Sequence, residues 1–327
     1  MAELAADYAL FVAELITVLG LLLIAALIVV GMSRRGAQPD GLEVQHLNRR
    51  LEEHADVLRR VVHGKDRFRK LLKRRAKERK KEKKASGEGD ERSRVFVLDF
   101  KGDLRASAAQ SLRHEVSAVL AVATERDLVF VRLENSGGTV HDHGFAASQL
   151  VRIKKQGIPL YVAVDKVAAS GGYLMACVAD KIIAAPFAII GSIGVLAQLP
   201  NFNRLLESKG VEFEQIAAGR YKRTLTMFGK NTDEGREKLK EELAEVHELF
   251  KRLIAEHRPQ VDVEAVATGE HWYGAKALEL KLIDEIASSD DWLLAAARDR
   301  EVYKVTYKRR RNWSERVLGG VESLLSR

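Results

Sequence analysis

The sequence predicts an α/β fold carried behind an N-terminal transmembrane helix and a basic helical stalk. Three observations predict it. Residues 9–31 are almost continuously apolar, positive charge is concentrated just after them, and from Arg94 short apolar runs alternate with longer amphipathic segments. A chain of 327 residues can hold one large domain plus appendages, and 46% apolar content with 5 prolines gives it material for a core.

Ala9–Gly31 is interrupted only by Glu14 and Thr17. Twenty-three residues at helical rise cover roughly 30–35 Å, enough for a bilayer core. No basic residue precedes the run and no small-x-small cleavage site follows it, so an uncleaved anchor is expected over a signal peptide. Glu3 and Asp7 lie before the span, with Arg34 and Arg35 after it, and this asymmetry predicts that the chain after the span is cytoplasmic.

Next come Leu47, Leu51, Leu58, Val61, Phe68 and Leu72, which fall on alternating four- and three-residue steps with His54 and Lys65 as the imperfect members. That period is a helix with a narrow apolar stripe, of the kind that forms short coiled coils. Between Arg59 and Lys84 stand 15 Lys and Arg against 3 acids, a local +12 within a net +8. The rest of the chain therefore sums to −4, and basicity is a local property. In the densest part of the basic stretch, Lys70–Lys84, no aromatic residues are interleaved among the lysines, so anionic lipid headgroups are the expected partner and specific nucleic acid is not. Ala85–Ser93 reads as a linker.

Within the alternating region, 95–100, 128–133, 160–164, 181–184 and 211–216 read as strands. Residues 107–123, 145–156, 173–178 and 233–257 read as helices. This order implies βαβ crossovers and a sheet covered on both faces. Ile182–Leu199 is apolar enough to suggest a second span, but Pro186, Gly191 and Gly194 interrupt it, so buried strands and tight turns are expected. The single cysteine, Cys177, excludes an intramolecular disulfide and gives no metal signature. It lies in an apolar run and reads as a buried small hydrophobe. No metal or cofactor is expected.

The chemistry centres on Ala168-Ala169-Ser170-Gly171-Gly172-Tyr173, which follows a strand and opens a helix. A serine at such a corner presents its hydroxyl, and glycine lets backbone approach a bound acyl group. Asn135-Ser136-Gly137-Gly138 upstream offers backbone amides, and Gly219-Arg220-Tyr221-Lys222-Arg223 downstream offers a base. Serine needs such a base to become a nucleophile. His141 or His143, with Asp142 or Asp165, would complete a histidine triad. Lys222 is the alternative, and as a base it must be neutral, which burial or the neighbouring Arg220 and Arg223 would favour.

These motifs, with Gly191-Ser192-Ile193-Gly194-Val195 and Ala267–Gly274, resemble the signal peptide peptidase A family. Its inner-membrane branch, the SohB-type peptidases of Gram-negative bacteria, is the closer resemblance. The resemblance implies a serine endopeptidase with a βαβ superhelical fold like that of the ClpP/crotonase superfamily. It implies Ser170 as nucleophile, Lys222 as general base, and Gly137 as oxyanion glycine with an amide beside Ser170 as its partner. The family usually has Ser-Pro-Gly-Gly where this chain has Asn135–Gly138, so the turn lacks the rigidity of proline.

Ser192 has two readings, a tight corner beneath the site or a hydroxyl orienting Lys222. Trp272 and Tyr273 read as core or interface. The expected divisions are 1–35 anchor, 36–84 basic amphipathic helix, 85–93 linker, 94–307 serine peptidase domain, and 308–327 basic amphipathic tail. Trp313, Val317, Leu318, Val321, Leu324 and Leu325 give the tail helical spacing suited to a membrane surface or a neighbouring subunit.

The expectation is a peptidase in the bacterial inner membrane that cleaves extended polypeptides, signal-peptide remnants or damaged membrane proteins among them. Resemblance to signal peptide peptidase A points to the outer face of that membrane, against the charge asymmetry, which we follow. It also implies a homo-oligomer with active sites at subunit boundaries. A crotonase-like acyl-CoA enzyme and a catalytically silent membrane scaffold are the alternative functions.

Overall fold

The computed structural model describes residues 13–20, 41–85 and 93–308. Of the expected span, residues 13–20 are helical and the remainder lies outside the described residues, as do most of the linker and nearly all of the tail. No helix among the described residues is long and apolar enough to cross a membrane. The chain divides into two units. Residues 44–306 form one; the other, residues 1–43 and 307–327, includes an ion pair between Glu43 and Lys308.

The main sheet contains β1 (Gly41–His46), β2 (Arg94–Lys101), β3 (Leu128–Glu134), β4 (Leu160–Val164), β6 (Lys181–Ala184), β9 (Glu285–Ile286) and β10 (Glu301–Lys308). Their order is β1-β10-β2-β3-β4-β6-β9, and every pairing from β10 to β9 is parallel. Alternation along β2 explains how both faces are covered. Phe96, Leu98 and Phe100 join the larger core with α2 (Ala109–Leu120), α3 (Val140–Lys155) and α4 (Gly171–Ala176). Val95 and Val97 face the other way, toward Leu293 of α9 (Ser289–Asp299), where Trp292 stacks on Phe130 at 4.3 Å. Period-two side chains on a sheet buried on both faces produce this arrangement.

A smaller sheet holds β5 (Val167–Ala169), β7 (Ile189–Gly191) and β8 (His271–Tyr273). β5 and β7 run parallel, and β8 pairs antiparallel to β7. The apolar stretch Ile182–Leu199 is accordingly strand, turn and strand followed by irregular backbone, with no helix.

Two expectations are corrected. Residues 211–216 form no strand. They lie on an extension over residues 196–232 whose only helix is α5 (Asn203–Ser208), and Ile216 there is 90% exposed. A strand needs a partner, and no segment among the described residues supplies one. The second correction concerns the stalk. Gly41–His46 is a strand of the main sheet, and Asn48 at the start of α1 (Leu47–Ala85) bonds Ala297 O, Arg300 O and Val302 N at 2.7–2.9 Å. The helix itself breaks at Gly64, with φ +72°. Asp56 reaches Arg75 at 3.5 Å and Arg60 lies over Phe68 at 5.6 Å. Nineteen residues of unbroken helix would put Asp56 and Arg75 roughly 28 Å apart, so the two arms fold back on each other. Phe68 is buried by this turn, whereas Leu58 and Val61 of the expected stripe are exposed.

The remaining helices are α6 (Asp233–His257), α7 (Val263–Val266) and α8 (Gly274–Glu279). Thr232 caps α6 by accepting the Gly235 N–H at 3.1 Å. Near its end, Arg258 is buried and gives a two-pronged ion pair to Asp284 at 2.7 and 2.8 Å.

Candidate active site

Ser170 stands where β5 ends and α4 begins, with φ +52° and ψ −121°. Residues other than glycine avoid this region at a cost of about 1–3 kcal/mol, and such strain concentrates at functional sites. The surroundings hold it there. The Ser170 N–H donates to Gly191 O at 2.8 Å, and Ser170 O accepts from Leu174 N at 2.9 Å in the first turn of α4.

Gly137, at φ +90°, runs against this corner, and a Cβ placed on it would lie 2.7 Å from Ser170 Cβ and 2.9 Å from Gly171 N. Only glycine permits that approach. Its own N–H, however, donates to Asn135 Oδ1 at 2.9 Å. The N–H groups of Gly138 and Gly171 have no acceptor among the described residues. For Gly171 the helix explains this, because the first amides of a helix lack intrahelical partners. Gly138 and Gly171 both line a cavity of about 340 Å³ that also takes in Ser170. Its other walls are mostly apolar, including Val140, Leu174, Val195, Leu249 and Leu253 from four parts of the chain.

The histidine triad is not assembled. His141 is exposed and lies 3.5 Å from Asp142, and the Asp165 carboxylate accepts from Ser289 N and Oγ at 2.8 and 2.5 Å. His143 does line the cavity, but its ring nitrogens face Thr139 O at 2.9 Å and Asn135 Oδ1 at 3.2 Å.

Lys222 is exposed and does not line the Ser170 cavity. It sits in a turn closed by its N–H to Gly219 O at 3.1 Å. The turn is tied to the start of α6: Arg220 pairs with Glu234 at 2.7 Å, and Tyr221 lies beneath both Arg220 and Lys238. Arg220 is therefore charge-compensated. Ser192 follows Gly191 in a second strained corner, at φ +50°, with its N–H donating to Glu270 O at 2.6 Å. Trp272 packs over Gly191, so its ring belongs to the wall of the smaller sheet, and Tyr273 is exposed.

Cys177 is fully buried, and burial pushes its thiol up to about 12, consistent with an inert hydrophobe. No group of metal-ligating side chains occurs among the described residues. Sequence reasoning assigned no role to Asn135. The signal was its position two residues before Gly137, where an Asx side chain can accept from the turn.

Residues 3–150 match Peptidase family S49 N-terminal, and residues 152–303 match Peptidase family S49. A protein named "Probable protease SohB" from Haemophilus influenzae is 44% identical over 320 residues, 94% of this chain and 90% of its own length. Its namesake from Buchnera aphidicola subsp. Acyrthosiphon pisum is 53% identical over 235 residues, 72% of this chain and 70% of its own. The solved structure of a membrane-bound stomatin-specific protease with a substrate peptide is 13% identical, with a TM-score of 0.45, covering 70% of this chain and 98% of that one. The chain belongs to peptidase family S49.

Proposed function

We propose that this peptidase is a membrane-anchored serine endopeptidase in which Ser170 is the nucleophile and Lys222 the general base. Ser170 Oγ attacks the scissile carbonyl while Lys222 takes its proton. The oxyanion is met by backbone amides at the Gly137–Gly138 turn and at Gly171. Collapse releases the amine with a proton from Lys222, and water, activated by the same lysine, hydrolyses the acyl-enzyme. The observation that carries this reading is the strained Ser170 beside two unbonded glycine amides at the mouth of an apolar cavity. Extended polypeptides fit as substrates, because the reaction needs backbone accessible at the corner. Signal-peptide remnants and damaged membrane proteins are such chains. Ser192 would act by orienting the amine of Lys222.

The site is completed between subunits of a homo-oligomer in the bacterial inner membrane, anchored through Ala9–Gly31, with the catalytic domain on the cytoplasmic face. The exposure of Lys222 and its absence from the Ser170 cavity support a shared site, since a neighbouring subunit would bury the lysine and favour its neutral form. Apolar side chains at Phe187, Leu196 and Ile216, all more than 70% exposed, supply surface for such contact. The test is casein cleavage by the full-length protein with fluorophosphonate labelling. Wild type should cleave and be labelled, and Ser170→Ala and Lys222→Ala should each lose turnover by more than roughly 10³-fold. Cleavage that survives Ser170→Ala would refute the nucleophile; survival in Lys222→Ala would refute the base.

A further inference from the structure

Asn135 and His143 are polar, 1% and 0% exposed, and placed against the Gly137–Gly138 turn and the backbone on either side of Ser170. Asn135 Oδ1 receives the Gly137 N–H at 2.9 Å and faces His143 Nε2 at 3.2 Å. His143 Nδ1 faces Thr139 O at 2.9 Å, one turn back at the start of α3. The imidazole itself is wedged between the two glycines whose amides are unbonded. A Cβ on Gly138 would lie 2.8 Å from His143 Cε1, and one on Gly171 would lie 2.5 Å from His143 Cγ. Asn135 has no room to swing away, because a Cβ on Gly102 would fall 2.2 Å from its Oδ1. Its backbone is fixed too, with its N–H on Val167 O at 2.9 Å and its carbonyl accepting from Ala169 N at 3.0 Å.

We infer that Asn135 and His143 form a buried hydrogen-bonded pair that sets the amides of Gly138 and Gly171 against Ser170, making His143 a positioning residue for the peptidase reaction. This rests on the nucleophile and oxyanion assignment above. The pair does by side-chain bonding what a proline at position 136 would do by fixing φ, and position 136 here is serine. His143 does not touch the substrate in this account. It spaces two loops, and the oxyanion feels the spacing because its donors come one from each.

The experiment uses full-length protein and a fluorogenic peptide chosen from a library for cleavage by wild type. Two probes accompany it: the C-terminal aldehyde of that peptide's acyl half, which forms a tetrahedral adduct, and the matching carboxylate, which reports ground-state binding. With the Nε2–H of His143 donating to Asn135 Oδ1, His143→Asn removes that bond because its shorter amide cannot reach Asn135, and kcat should fall roughly 10- to 100-fold, less than outright loss of an oxyanion donor. Aldehyde affinity should fall by the same factor while KM and carboxylate affinity stay within about twofold. His143→Gln, whose terminal amide reaches the Nε2 position, should recover most of the loss. Asn135→Ser, which keeps an acceptor near Gly137 but not the reach to His143, should show the same kcat-selective loss and serves if the His143 variants fail to fold. Wild-type kcat in these variants, or equal loss of aldehyde and carboxylate affinity, would overturn the inference. Ser170→Ala run alongside separates the two readings: activity there would sink the nucleophile assignment itself.

Discussion

The backbone at Ser170 is held at φ +52° by hydrogen bonds to Gly191 and Leu174, so the strain is borne by two neighbouring elements. Other single residues fix the frame in which this is possible. Asp127 is buried and accepts from Arg94 Nε and Nη2 at 3.0 and 2.7 Å and from Thr124 N at 2.8 Å. Burial opposes its charge, yet these bonds prevail and hold its carboxyl at about 2. A folded-state value below the ordinary 3.8 means stability that is fully present above that value and lost as pH falls toward 2. Asp127→Asn should therefore cost about 2 kcal/mol at neutral pH, and urea unfolding should show the difference from wild type vanishing near pH 2. A deficit unchanged by acid would contradict it. Ser170 was legible from the sequence because strand, turn and glycines are contiguous there. The Asn135–His143 pairing was not, since both residues read as loop polars until α3 brings the ring back over the turn.

Among the elements, β4 (Leu160–Val164) and α6 (Asp233–His257) have the bounds that periodicity predicts. Each is set by local signals: β4 by a continuous apolar run, α6 by the Thr232 cap and an amphipathic repeat. Residues 211–216 carry the alternation of a strand but lack a neighbour, and strand pairing is a long-range property that a local pattern cannot report. The same reason hides β1, whose Gly41–His46 sequence shows little alternation and whose place beside β10 lies more than 250 residues away. This strand changes how a soluble fragment should be cut. A fragment starting at Arg94 loses β1 and the three Asn48 bonds to 297–302, while one starting at Gly41 keeps them. The shorter fragment should melt lower by about 4–8 °C or more. Equal melting temperatures would show that β1 adds nothing to the fold.

At the scale of the whole molecule, the described chain presents Ser170 at the mouth of a cavity and Lys222 exposed on a turn that does not line it. On the proposed mechanism the base lies outside the serine's own cavity, a second subunit would bring the two together, and the exposed apolar residues of the 196–232 extension would give that subunit a surface to cover. No part of this was readable from one sequence by periodicity, because a pattern within a chain carries no record of which chain completes a site. Complementation tests the account most directly. Ser170→Ala and Lys222→Ala proteins, each inactive alone, are co-expressed, shown to be mixed within one oligomer, and assayed on casein. If Ser170 of one subunit works with Lys222 of the next, boundaries that pair an intact serine with an intact lysine restore a fraction of wild-type cleavage. If verified mixed oligomers stay inactive, the site closes within a single chain or Lys222 is not its base, and the shared dyad is wrong.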